Sequence, residues 1–390
     1  PNLAAPMRVG IDYRPALVNR EGIGRYAREL VRALIEHNFG GNLGLFGYTL
    51  AGARFSRAEL GLANTKVELL RLRFPARALP WLLAKLAKGV DDLVGGCDVY
   101  HHTQYSDLAV RQAIEVATIH DCLYLYKHAD YVDAEAGERM AAAARALVKR
   151  AKRILVPSEF VGAEVVMHFG AWPGQITVTP LGCDHIARAL PPEGFPPARE
   201  PYVLTVSRVD NRKNHVRMLH AFERLVREGF PQRWIVAGPP GHGVEHFERA
   251  LAASPARARV EWRRDVSEAE LPRLYAQADL FLFASLGEGF GLPPLEAMAC
   301  GTAVVTSSVS SMPEICGPAA WYVEPTDEER IFEAARRLLG EPELRAEFVK
   351  KGRERARQYT WRETARATLL AYQRAADPDA EEAPRLRRSL

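Results

Sequence analysis

The sequence predicts an α/β protein made of two parallel-sheet domains that face each other across a cleft. Three observations carry this expectation. The chain has 390 residues, too many for one ordinary core and suited to two domains. Short apolar runs alternate with helical patterns in both halves, the signature of parallel α/β sheets. The halves separate at Pro191-Pro-Glu-Gly-Phe-Pro-Pro197, a proline-dense stretch of the kind that links domains. Residues 1–190 are then the first domain, 191–200 the linker, 201–359 the second domain and 360–376 a last helix. Residues 377–390, charged and holding two prolines, are expected to be a disordered tail, and residues 1–6 a loose end.

In the first half, Met7–Asp12, Val116–His120 and Ile154–Pro157 read as strands, with helices at Gly24–His37 and Gly137–Lys152. In the second, Tyr202–Ser207, Trp234–Ala237, Leu280–Ala284 and Ala303–Thr306 read as strands, and Val216–Glu228 and Leu295–Ala299 as helices. Thr360-Trp-Arg-Glu363 is a capping box that opens a helix running to about Arg374. Open parallel sheets bind ligands at the carboxyl ends of their strands, and every notable motif falls just after a predicted strand.

A composition of 47% hydrophobic and 26% charged residues is that of a folded globular chain. Its five cysteines are scattered, odd in number and include no C-x-x-C. Without a leader-like segment, they read as reduced thiols of a cytoplasmic protein. No run of eighteen apolar residues occurs, so no membrane span is expected. The net charge of +4 lies entirely in the N-terminal half. That is too mild for a nucleic-acid binder, and compatible with an anionic small molecule or a membrane surface.

The most informative stretch is Glu288-Gly-Phe-Gly-Leu-Pro-Pro-Leu-Glu296. It places two carboxylates around a glycine turn and a double proline, which suits a helix's first turn because those amides have no intrahelical partner. Glu296 is expected in that opening turn. The freed N–H groups of Phe290, Gly291 and Leu292 form a seat for an anion, with carboxylates beside it for hydroxyls. A glycoside hydrolase also needs paired carboxylates, but has no diphosphate for such a turn to hold.

Four further segments follow predicted strands. Gly22-Ile-Gly24-Arg-Tyr-Ala27 formally satisfies G-x-G-x-x-A, the mark of a dinucleotide-binding dehydrogenase. Ten residues separate it from its strand, however, and no acidic residue lies about 20 positions on for a ribose. A glycine loop opening a helix toward an anion stands under either reading. His120, in Thr118-Ile-His120-Asp121, can donate to a sugar hydroxyl or stabilise positive charge at an anomeric carbon, or be a packed histidine. Asp121 can be an acceptor-side base or a structural cap. In Ser207-Arg208-Val-Asp-Asn-Arg-Lys213 the arginine offers a planar fork to phosphate and the lysine a point charge, fit to neutralise a departing diphosphate. Gly238, in Ala237-Gly238-Pro-Pro-Gly241, and Val266, after Arg263-Arg-Asp265, end segments where backbone can approach a nucleoside.

Taken in order, these segments resemble the retaining glycosyltransferases of family four, with the two-domain GT-B fold. The likeness runs from Val9-Gly-Ile-Asp12 to Trp361 and is closest to bacterial mannosyltransferase-like members that build surface polysaccharides. Pro157-Ser-Glu-Phe160 and Thr179-Pro-Leu-Gly-Cys-Asp184 also have family counterparts. The resemblance implies two Rossmann-like domains, the last helix crossing back onto the first. It further implies metal-independent transfer of a hexose with retention, mannose from GDP-mannose before UDP-hexoses, to a glycan or lipid-linked acceptor, with no cofactor. Glu288 then binds donor-sugar hydroxyls and Glu296 the ribose. Arg208 and Lys213 hold the diphosphate, helped by the amides of Gly291 and Leu292 and by the Gly22–Gly24 loop, while His120 meets the transferred sugar. Ser207, Gly238, Val266 and Phe290 line the donor site, and Arg25 and Asp121 face the acceptor. Where the family's first motif often begins with two glycines, this chain has Glu21-Gly22. A GT-B epimerase or a non-catalytic sugar-nucleotide binder remains the alternative.

The segment 71–88, Arg71-Leu-Arg-Phe-Pro-Ala-Arg77 through Trp81 to Lys88, is basic, aromatic and free of acidic residues. It reads either as a contact for the anionic inner face of a membrane or as an ordinary solvated basic helix.

Overall fold

A computed structural model of the chain describes residues 7–19, 22–37, 39, 42–50, 55–126 and 131–377. The expectations for residues 1–6, for Glu21 and for the tail after Asp377 lie outside those residues. The first sheet holds β1 (Val9–Asp12), β2 (Leu43–Tyr48), β3 (Glu68–Leu72), β4 (Val99–His102), β5 (Ile114–Thr118), β6 (Arg153–Val156) and β7 (Ile176–Val178). Their order is β3-β2-β1-β4-β5-β6-β7, every neighbouring pair parallel. The second sheet holds β8 (Tyr202–Val206), β9 (Arg233–Ala237), β10 (Val260–Arg263), β11 (Leu280–Phe283), β12 (Val304–Ser307) and β13 (Trp321–Val323). It repeats the pattern as β10-β9-β8-β11-β12-β13, again parallel throughout. Two Rossmann-like sheets are thus present, each reversing its strand order beside its first strand.

Six strands, β2, β3, β4, β7, β10 and β13, evade the apolar pattern, and three of them show why. In β2, a Cβ on Gly47 would lie 2.3 Å from Leu17 Cδ1, and one on Gly44 3.1 Å from Val94; glycine lets neighbouring segments close on the strand. In β4, His101 and His102 are fully buried. His101 Nδ1 meets the Tyr372 hydroxyl at 2.7 Å and Nε2 meets Thr118 Oγ1 at 2.7 Å. Burial pushes this imidazole down to about 3, so it packs as a neutral core group. In β10, the run Val260-Glu-Trp-Arg263 carries two charged residues, as sheet edges often do.

The last helix, Trp361–Ala376, starts where its capping box predicts: Thr360 Oγ1 accepts from Glu363 N. It packs on the helix Ile23–Glu36 and on β4, β5 and β6 of the first sheet, so the chain does cross back. The two crossings are tied together. Asp184 Oδ1 accepts from Trp361 N at 2.8 Å, Cys183 N donates to Tyr359 O at 3.0 Å, and Thr364 Oγ1 donates to Pro180 O at 2.7 Å. A Cβ on Gly182 would sit 2.1 Å from Trp361 N, which leaves room only for glycine. Further contacts span the cleft. Ser158 caps the helix Glu159–Phe169 and donates to Gly289 O at 2.6 Å. The Glu314 carboxylate accepts from Glu159 N and Phe160 N at 2.9 and 3.1 Å, at the positive end of that helix.

Candidate active site

Strand order reverses between β1 and β4 in the first sheet and between β8 and β11 in the second. Beyond the carboxyl ends of these strands lies the crevice where such sheets bind ligands. The segment after β8 holds Ser207 to Lys213, and that after β11 holds Glu288. Adjacent strands therefore bring together residues far apart in sequence.

Glu288 is buried and engaged on both oxygens. Oε1 accepts from the Lys213 ammonium and from Ser285 Oγ at 2.6 Å, and Oε2 pairs with Arg212 Nη1 at 3.0 Å. Burial alone would raise this carboxyl; the Arg212 and Lys213 cations, with the hydrogen bonds of Lys213 and Ser285, overcome it and hold it at about 2. Burial lowers Lys213 first, the adjacent Arg212 cation lowers it further, and Glu288 pulls in the other direction. Its ammonium also lies 5.0 Å from the Phe283 ring centroid, a cation–π distance. Arg212 is the second cation of the cluster, raised against the effect of burial by Glu288, Asp210 and, from the first domain, Asp121.

Arg208, the arginine singled out in the sequence, takes a different position. Its side chain is exposed and lies over Gly241, where a Cβ would come within 2.7 Å of its Cγ and Cδ. It forms no ion pair among the described residues. The cation on Glu288 beside Lys213 is Arg212, one residue earlier in the chain, which sequence reasoning passed over inside a basic run.

Glu296 lies one turn further into its helix than expected, because the helix runs Leu292–Ala299 with both prolines in its first turn. It is 1% exposed. Oε1 accepts from Arg25 Nη1 at 2.6 Å and His185 Nε2 at 3.0 Å, and Oε2 from the Tyr275 hydroxyl at 2.7 Å. Trp361 Nε1 donates to His185 Nδ1 at 3.0 Å; an indole N–H only donates, so the His185 proton is on Nε2, toward Glu296. Against the effect of burial, Arg25 and His185, with the Tyr275 hydrogen bond, hold this carboxyl at about 2. Arg25, expected on the acceptor side, instead reaches across the cleft to Glu296. His185 and Tyr275 gave no signal in sequence, being a lone histidine beside the linker and an aromatic in a helix.

On the first domain, His120 Nε2 lies 3.0 Å from Thr103 O. A carbonyl only accepts, so the ring proton is on Nε2 and Nδ1 is an acceptor. Burial lowers this imidazole, more than Thr103 and Asp121 raise it. His120 can therefore accept from a sugar hydroxyl, where the sequence reading had it donating. Its ring stands edge-on to Tyr26 at 4.8 Å. Asp121 caps the following turn, accepting from Leu123 N at 3.3 Å, the structural alternative of the two entertained. Across the cleft, a Cβ on Gly289 would lie 2.0 Å from His120 O, so glycine there lets the Glu288 loop close on the His120 backbone.

The remaining glycines divide by role. Gly22 has φ +50° and open space around its Cβ position, at the N-terminus of the helix Ile23–Glu36. Gly24 is dictated by packing, with Asn19 O 2.1 Å from a Cβ there. Gly238 is likewise fixed by a close approach, to Ser207 O at 2.1 Å. Gly291 has φ +98° and opens the helix that carries Glu296. The N–H groups of Phe290, Gly291 and Leu292 have no hydrogen-bond acceptor among the described residues, whereas the Phe290 ring packs on Tyr359. Ser207 Oγ lies 3.2 Å from His215 Nε2, and Val266 is half-buried against the core. Ser310, a non-glycine residue at φ +56°, accepts from Glu288 N at 2.9 Å, and Ser311 Oγ donates to Glu288 O at 2.9 Å. No group of three or more metal-ligating side chains occurs among the described residues.

Comparison with known proteins follows the same division of the chain. Residues 20–186 match the profile of Glycosyltransferase Family 4 and residues 188–355 that of Glycosyl transferases group 1. The chain is 28% identical to O-antigen chain mannosyltransferase B of Escherichia coli, over 94% of this chain and 99% of that one. It is 30% identical to MMP alpha-(1->4)-mannosyltransferase of Mycolicibacterium hassiacum, over 59% of this chain and 56% of the relative. Among solved structures, sucrose-phosphate synthase from Thermosynechococcus elongatus superposes with a TM-score of 0.73 at 20% identity, covering 94% of this chain and 98% of that one. The lipopolysaccharide glycosyltransferase WaaG does so with a TM-score of 0.67 at 18% identity, covering 96% and 100%. With both halves matched and the two-sheet architecture shared, the chain belongs to the family-four glycosyltransferases of GT-B fold and is a mannosyltransferase-like glycosyltransferase.

Proposed function

We propose that the protein transfers mannose from a nucleoside diphosphate sugar, GDP-mannose before UDP-hexoses, to a glycan or lipid-linked acceptor with retention at the anomeric carbon. The observation that carries the donor reading is the charge arrangement at the β8/β11 reversal. Arg208 is exposed there without a carboxylate partner among the described residues, Lys213 and Arg212 converge on Glu288, and three unpaired amides open the next helix. These groups form a positive field for a diphosphate, supplied by side chains and amides. Glu288 meets the donor sugar and Glu296 the ribose. The acceptor oxygen bonds to the anomeric carbon on the face from which the phosphate oxygen departs. That departing oxygen takes the acceptor's proton, so no nucleophile is required of the protein. His120 Nδ1 accepts from a hydroxyl of the sugar. Replacing Arg208 by alanine is expected to lower kcat about 10²–10³-fold, the scale of losing one charge-stabilising donor; near wild-type turnover in that variant removes the assignment.

A lipid-linked acceptor suits a cytoplasmic enzyme that docks on the inner membrane face through 71–88. Supporting this, Arg71, Arg73, Arg77, Lys85 and Lys88 are all exposed, Trp81 and Leu86 are 63% and 57% exposed, and no acidic residue falls between Glu68 and Asp91. Apolar tips among cations fit an anionic interface, each charge contributing about 1 kcal/mol near the surface. No helix among the described residues is long and apolar enough to span a bilayer. Co-sedimentation with phosphatidylglycerol vesicles at low salt, set against phosphatidylcholine vesicles, tests it: absence of binding to the anionic vesicles ends the idea.

A further inference from the structure

Glu296 has a hydrogen-bonding capacity that can be counted. A carboxylate offers about four lone-pair positions, and three are taken, by Arg25, His185 and Tyr275. One remains. A ribose that presents both its 2′- and 3′-hydroxyls to this carboxylate needs two, so one protein donor has to leave.

The three donors are not equally free to go. Tyr275 is fully buried on the same domain as Glu296. His185 is held from behind by Trp361 Nε1 and lies beside the tied crossing at Asp184. Arg25 alone has a second carboxylate in reach: its Nη2 lies 3.9 Å from Glu268 Oε1. That oxygen is already paired with Arg28 Nη2 at 2.6 Å, one turn along the same helix. Glu268 follows β10, on the segment that also carries Val266.

We propose that Arg25 is an exchanging group. A cis-diol of the nucleotide displaces its guanidinium from Glu296, and Arg25 passes to Glu268. The helix behind the glycine loop then transfers its grip from the ribose carboxylate to the segment after β10. Arg25 is in this way a positioning residue that competes with the ribose for Glu296, so the seat discriminates a diol from a single hydroxyl. The proposal rests on the reading of Glu296 as the ribose carboxylate.

The test is calorimetric titration of wild type and Arg25→Met with GDP and with 2′,3′-dideoxy-GDP, the UDP pair being run beside them. Removing the competitor is expected to tighten GDP binding about tenfold, because a site blocked part of the time loses apparent affinity in that proportion. Dideoxy-GDP, with no diol to seat, is expected to gain nothing. The unliganded melting temperature of Arg25→Met falls, since a buried carboxylate loses its cation, and GDP raises it by more than in wild type. Should Arg25→Met not fold, Arg25→Gln, which keeps only a neutral and shorter donor, is expected to show a smaller gain for GDP and still none for dideoxy-GDP. Weaker or unchanged GDP binding in the variant, or an equal gain for dideoxy-GDP, overturns the exchange while leaving the ribose assignment standing. If GDP and its dideoxy analogue bind alike in both proteins, or neither nucleotide pair binds, the ribose assignment fails and the exchange falls with it.

Discussion

Glu288 and Glu296 both titrate near 2 against an ordinary value of 4.5, yet they are held there by different partners. Glu288 faces two cations of its own domain, and Glu296 faces Arg25 and His185 from the other. A carboxyl depressed in the folded chain binds fewer protons there than in the unfolded chain, so its stabilisation is present above about 4.5 and is lost as pH falls toward about 2. The melting temperature is accordingly expected to decline steadily from pH 5 to pH 3, and less steeply in Glu288→Gln; thermal melts across that range decide it. Arg212 separates from Arg208 by the same logic. Arg212→Met leaves Glu288 with one cation fewer in a buried site, a cost on the order of 3 kcal/mol when one partner of a buried pair is removed. Arg208→Ala, at an exposed position, is expected to leave the melting temperature within about a degree or two and to act on turnover. Equal destabilisation by both substitutions contradicts this division.

At the scale of elements, the glycine loop and the last helix make separable predictions. Gly22 has a positive φ but open space, whereas Gly24 has an ordinary φ but a carbonyl 2.1 Å from its Cβ position. Gly22→Ala is expected to cost roughly 1–3 kcal/mol, because φ +50° with ψ −115° is a backbone conformation that L side chains rarely adopt. Gly24→Ala must move backbone and is expected to cost a similar amount, roughly 1–3 kcal/mol, by overpacking; denaturant melts measure both, and a loss well under about 1 kcal/mol at either position refutes the reading there. Thr360→Ala removes the cap of the crossing helix, a loss of about 1 kcal/mol. That loss is expected to reach the whole transition, because Thr360 and Trp361 sit against Gly182 and Asp184 where both crossings meet. These element starts were legible because capping boxes and double prolines act locally. β2 and β4 were not, because their glycines and buried histidines answer to partners distant in sequence: Leu17, Val94, Thr118 and Tyr372.

For the whole molecule, the two parallel sheets followed from the sequence alone. Periodicity reports which face of an element is buried, and glycine, proline and capping signals report where it turns. The motif after β11 located Glu288 and Glu296 for the same reason: residues eight apart on one loop and helix travel together. What the sequence could not determine is which side chains complete them. Lys213 and Arg208 both lie in one basic run with Arg212, and only the pairing of β8 with β11 selects Arg212 and Lys213 for Glu288. Arg25 and His185 precede Glu296 by more than a hundred residues and arrive only when the first domain closes on the second. The direction of the His120 proton likewise depends on Thr103, brought beside it by the pairing of β4 with β5. Local chemistry is written along the chain, whereas the partner of a buried charge is chosen by the sheet order and cleft closure that bring distant residues together.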